Sequence, residues 1–200
     1  SKTSHVIDHS ADDLRKWRTI FDTQKKDPPS WCLPVRLVLK IWEFVANDLL
    51  QYAASHCMNE DFDHVCLGHR CQWHHAEEPA AYRSDCILRT LRADMHLVVQ
   101  RYVKPWTENF KDSGLALCFK AGRVSLHRED LEEASCPYVF ISHCWNEEFK
   151  MFVKTLKHAF DPETRVWICS FAIWQHGDIQ GQLTCLETCP FAVALAASQR

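Results

Sequence analysis

Two short apolar runs, Tyr138-Val-Phe-Ile141 and Arg165-Val-Trp-Ile-Cys-Ser-Phe171, flank a segment with Phe149, Phe152, Val153, Leu156, Ala159 and Phe160 at helical spacing. Unbroken runs of β-branched and aromatic residues suit strands buried on both faces, and such strands belong to parallel sheets. A parallel pair needs a long crossover, which the intervening helix supplies. The spacing therefore predicts strands at 138–142 and 165–171 with a packed helix between them. Two strands cannot cover both faces or satisfy both edges, so at least one more strand is required. We expect it beyond Arg200, in a chain that starts at Ser1 and reads as part of a longer protein.

Upstream, the pattern is helical. Ser10 with Asp13 and then Leu14, Trp17, Ile20 and Phe21 predicts a short helix over 10–21. Residues 22–34, with Pro28-Pro29 and Pro34, read as a connector. Leu37, Val38, Ile41, Trp42, Val45, Leu49 and Tyr52 form one stripe and predict a helix over 35–54. A second stripe, from Ile87 to Tyr102, predicts a helix over 80–103 that packs on the first and ends before Pro105. Residues 115–126 suit a hairpin or an irregular bridge, and the charged stretch 128–135 a solvated helical turn. After the second apolar run, 173–187 reads as a polar loop holding Gly177 and Gly181. Thr188 then caps a helix that has Pro190 in its first turn and runs to Ala197.

Charge and cysteine content narrow the function classes. With 23 Lys plus Arg against 26 Asp plus Glu, the net charge of -3 offers no basic field for a phosphate backbone, so no nucleic-acid partner is expected. The eleven cysteines are odd in number and scattered, unlike a secreted disulfide framework, which points to a reduced, cytoplasmic protein. The most apolar stretch, 35–50, is interrupted by Lys40, Glu43, Asn47 and Asp48, so no membrane partner is expected either.

Residues 56–75 hold five of the twelve His and three of the eleven Cys. At the chain average, a window of that length would hold about two. Cys66-x-x-His69-x-Cys71-x-x-His74 offers the thiolate and imidazole donors that zinc prefers in a tetrahedral site. Four ligands within nine residues strain one tetrahedron, so Cys57, His64, His75 and Cys86 are further candidates. The competing reading is a loop between two helices with buried thiols and exposed imidazoles. A closed Cys/His set would be structural, because catalysis needs an open coordination position.

The series Tyr138-Val-Phe-Ile-Ser-His-Cys-Trp145, amphipathic helix, Val166-Trp-Ile-Cys-Ser-Phe171 and Gly-containing loop resembles the opening of a TIR-like domain over residues 137–200. Phe140, Ile141, Ser142 and His143 stand where that family ends its first strand. A rival resemblance is to the heterokaryon-incompatibility domain, through Ser142-His-Cys-Trp145 and Trp167-Ile-Cys-Ser-Phe-Ala-Ile-Trp-Gln175, although that family sets its two motifs further apart. The first resemblance implies a flavodoxin-like sheet with helices on both faces, and a loop over 174–187 used for self-association or nucleotide access. Some TIR domains cleave NAD with a glutamate on a helix after the third strand. Glu147, Glu148 and Glu187 do not match that position, so no catalytic residue is carried over, and any NAD chemistry belongs to a longer parent chain.

The expected organisation is a mainly helical region over 1–130, with the Cys/His-rich loop at 56–75, joined to a partial, truncated α/β domain over 137–200. Its expected role is signalling through protein partners, with self-association through the 174–187 loop. Open α/β sheets bind ligands at the carboxyl ends of their strands, which makes Ser142, His143 and Trp145, with Trp174 in the following loop, candidate ligand-rim residues. Trp145 suits either stacking on a planar ring or wedging into the core. Cys144 beside His143 does not make a nucleophile–base pair, since neighbours on extended chain point to opposite faces.

Overall fold

A computed structural model describes residues 27–56, 65–66, 69–70, 93–120, 137–177, 179–182 and 187–198. The expected helix over 10–21, the stretch 128–135 and most of the Cys/His-rich window lie outside them.

The fold is mixed α/β, centred on a three-stranded sheet. A 3-10 turn at Pro28–Ser30 leads into β1 (Leu33–Pro34) and the long helix α1 (Val35–His56). A small hairpin follows, β2 (Val65–Cys66) and β3 (His69–Arg70). Next come a helical run built from α2 (Met95–Val98), a π-helical turn (Val99–Val103) and α3 (Lys104–Thr107), then α4 (Leu115–Lys120). The C-terminal part is β4 (Tyr138–Ile141), α5 (Phe149–Ala159), β5 (Arg165–Ile168), α6 (Cys169–Ala172), α7 (Ile179–Gln182) and α8 (Pro190–Ala197).

The strand order is β1-β5-β4. Strands β4 and β5 are parallel neighbours, with Tyr138 opposite Arg165, Val139 opposite Val166, Phe140 opposite Trp167 and Ile141 opposite Ile168. The crossover helix α5 lies between them in sequence, as the alternation of apolar runs predicts. The third strand comes from the N-terminal side: Leu33–Pro34, within the expected connector, pairs antiparallel with β5. Proline is tolerated there because β1 is an edge strand and can leave one side of its backbone unpaired.

Side chains alternate across β5 and build two cores. Val166 and Ile168 face one cluster together with Leu33, Val38, Ile41, Val45, Phe149, Phe152 and Leu156 from β1, α1 and α5. Trp167 faces the other with Cys32, Tyr138, Ala172, Ile173 and Ala194. Helices therefore cover both faces, which is why β5 reads as an unbroken apolar run. β4 is half-buried beyond Tyr138, consistent with its edge position among the described residues. The first cluster also takes Val98, Val103, Leu115 and Phe119, so the core crosses the 130–137 boundary expected from sequence.

Four further local expectations are corrected. The helical run passes through Pro105 instead of ending before it. Proline deprives a helix of one N–H and clashes with the carbonyl four residues back. Here it follows a π turn in which the Lys104 N–H reaches Val99 O, and the wider turn accommodates the ring. The run 165–171 is strand only to Ile168, and Cys169–Ala172 turns helical. The 173–187 loop contains the helical turn α7, and Cys189 takes the cap position expected of Thr188. Residues 115–120 are helical, which resolves the first part of the open segment 115–126.

Of the helix expected over 80–103, residues 80–92 lie outside the described residues and the helical run starts only at Met95, with an extended Asp94 as its N-cap; from there it packs on α1. Asp48 of α1 accepts hydrogen bonds from Tyr102 Oη at 2.8 Å and Arg101 Nη2 at 3.0 Å. The Arg101 guanidinium also sits 4.6 Å from the Tyr52 ring centroid. Burial, reinforced by Asp48, pushes the Tyr102 phenol pKa up. The first amides of α1 are satisfied from outside, Val35 N–H by Thr164 O at 2.9 Å and Arg36 N–H by Pro162 O at 2.8 Å.

Candidate functional site

The parallel register brings the carboxyl ends of β4 and β5 side by side, and the chain leaves each strand in a different way. After Ile141 it runs irregularly through Ser142, His143 and Cys144 into a turn at Trp145. After Ile168 it turns at once into α6, so Cys169 stands on a sharp strand-to-helix corner. His143 Nε2 lies 3.4 Å from Cys169 Sγ.

The rim residues are held unequally. Ser142 and Cys144 are exposed, while His143 and Trp145 are half-buried. The His143 ring packs against Trp145 at 5.8 Å and Phe152 at 5.5 Å between centroids. Trp145 also meets His96 at 5.0 Å and leans on the first core cluster. Its carbonyl accepts the Met95 N–H at 3.2 Å, and Phe149 N–H reaches Ala93 O at 2.8 Å. Trp145 is thus a wedge between the end of β4 and the start of α2.

The loop after α6 begins anchored. Gln175, itself buried, donates from Nε2 to Ile173 O at 2.9 Å and Cys169 O at 3.3 Å. His176 Nε2 lies 2.8 Å from Lys104 O and 3.2 Å from Thr107 Oγ1. The half-buried Trp174 ring packs on His176 at 5.5 Å, and its indole nitrogen is buried without a hydrogen-bond partner.

Burial governs the protonation of the pair. It pushes the Cys169 thiol up to about 11, against the opposing pull of the Ser170 and Cys169 amides. It pushes the His143 imidazole below its ordinary 6.5, against a smaller pull from the Cys144 backbone. Both groups are neutral at pH 7. The direction of the Sγ–Nε2 contact follows the ring tautomer: the thiol donates to Nε2 when the ring proton sits on Nδ1. His143 Nδ1 is buried with no hydrogen-bond partner among the described residues, which disfavours imidazolium in the same direction.

Of the eight candidate zinc ligands, Cys66 and His69 are backbone partners across the β2–β3 hairpin. Cys57, His64, Cys71, His74, His75 and Cys86 lie outside the described residues. Sequence reasoning missed Cys169 altogether. The signal was available in the expected parallel register, which sets the residues following Ile141 beside those following Ile168. The thiol beside the His143 ring is that of Cys169, the first residue of α6 immediately after the adjacent strand.

No family model matches the chain, and no curated protein or solved structure matches it either. Among the described residues, no helix is long and apolar enough to cross a membrane.

Proposed function

We propose that this chain is an intracellular protein-interaction module of the signalling type, whose C-terminal part is a flavodoxin-like, TIR-like α/β unit. It works by self-association through the segment 174–187. The observation that supports the reading is the parallel pairing of β4 with β5 across the crossover helix α5. β1, antiparallel on the outer side of β5, departs from the flavodoxin-like order 2-1-3-4-5, in which the second strand is an edge. Helices on both faces of the sheet agree with the reading. The 174–187 segment suits a contact surface because its start is fixed by Gln175 and His176, while Gly181 and Glu187 are exposed.

Light scattering across a concentration series tests it. The wild-type chain is expected to gain mass with concentration. Gly181→Arg, which adds bulk and charge to the exposed segment, is expected to weaken association about tenfold or more, a loss of about 1.4 kcal/mol or greater. A wild-type chain that stays monomeric throughout the series contradicts this function.

A further inference from the structure

We propose that Cys169 and His143 form a thiol–imidazole dyad that accepts an acyl group from a small thioester. This goes beyond the interaction reading and does not rest on it.

Three observations converge on the pair. Sγ and Nε2 are 3.4 Å apart, within reach of a thiol-to-nitrogen proton transfer. They stand at the carboxyl ends of adjacent parallel strands, where open α/β sheets present their ligands. Cys169 occupies a strand-to-helix corner and is half-buried, so the sulfur is shielded without being sealed. The other described thiols lack this combination. Cys32, Cys118 and Cys189 are buried, and the first two direct Sγ toward the Ser30 and Ser113 carbonyls. Cys144 is exposed and serves as the internal reference.

With His143 Nε2 beside Sγ, the thiol attacks a thioester carbonyl while the base takes the proton as the bond forms. The Cys169 Sγ–H proton passes to His143 Nε2 while sulfur bonds to the carbonyl carbon. The bond from that carbon to the donor sulfur then breaks, and the departing thiolate recovers the proton from the imidazolium. Cys169–SH and R–CO–S–R′ become Cys169–S–CO–R and R′–SH. One thioester is exchanged for another, so no oxidant, reductant or water is consumed.

Phenyl thioacetate and the full chain test this, with peptide mass spectrometry locating the acetyl group. At pH 7 Cys169 is expected to acetylate faster than Cys144. Its rate should rise with pH through an apparent pKa below 6.5 and then level off, following the neutral imidazole. The Cys144 rate should show no such plateau over the same range. His143→Gln is expected to slow Cys169 on the order of 100-fold, the scale of general-base catalysis. The proposal is overturned if Cys144 outpaces Cys169 in the wild-type chain, or if the Cys169 profile climbs as Cys144 does. Neither comparison depends on the variant folding. A folded His143→Gln chain that reacts like wild type also overturns it.

Discussion

Gly114→Ala is expected to lower the melting temperature by roughly 10 °C or more, or to prevent folding outright. A Cβ at this position would stand 1.9 Å from Ala172 O, 2.4 Å from Ala172 C and 2.8 Å from Phe171 O. All three are backbone atoms, so no rotamer change relieves the clash. Glycine is required here by the close approach of two backbones. The chain before α4 and the end of α6 must separate by about 1 Å to restore tolerable contacts. Every residue of α4, from Leu115 to Lys120, is buried, so that movement opens the first core cluster. Ordinary overpacking costs about 1–3 kcal/mol. A clash against main chain belongs with the exceptional losses of about 4–5 kcal/mol. Thermal unfolding followed by circular dichroism checks this, and a variant melting within about 3 °C of wild type refutes it.

Trp167→Ala is expected to cost about 3–5 kcal/mol, the range for deleting a buried aromatic side chain. Trp167 is fully buried at the centre of the second core cluster. Its ring stacks on Phe140 at 5.0 Å and meets Phe191 edge-on at 5.7 Å, tying β5 to β4 and α8. Its Nε1–H donates to Pro28 O at 3.0 Å and fastens the 3-10 turn to the sheet. That carbonyl keeps a second donor, the Trp31 N–H at 3.1 Å, so the loss lies mainly in the cavity and the ring contacts. Trp167→Phe restores a ring and should recover at least half of the loss. Urea unfolding monitored by circular dichroism measures both variants, and equal stability of the alanine variant and wild type would remove Trp167 from the core.

What could be read from the sequence follows from length and periodicity. α1 and α5 repeat their apolar positions over several turns, and β4 is a clean apolar run between Pro137 and Ser142, so each was recognisable. β1 was not, because two residues carry no period and Pro34 argues for a connector; only its pairing with Val166 and Arg165 makes it a strand. The end of β5 was misread because a short buried helical turn and a buried strand are equally apolar. The Pro105 error has a different origin, since a π turn depends on how the helix packs and leaves no local residue signature. The rim was half legible. Its position followed from the strand ends, but the partner of His143 lies 26 residues away and is visible only once the register is fixed.

The parallel pairing of β4 with β5 underlies the fold, the rim and the dyad, and cross-strand nuclear Overhauser contacts in the folded chain test it most directly. Contacts joining Val139 to Val166 and Ile141 to Ile168, together with Leu33 to Val166, are the predicted result. Contacts joining Tyr138 to Ile168 and Ile141 to Arg165 would mean an antiparallel pair and would contradict it.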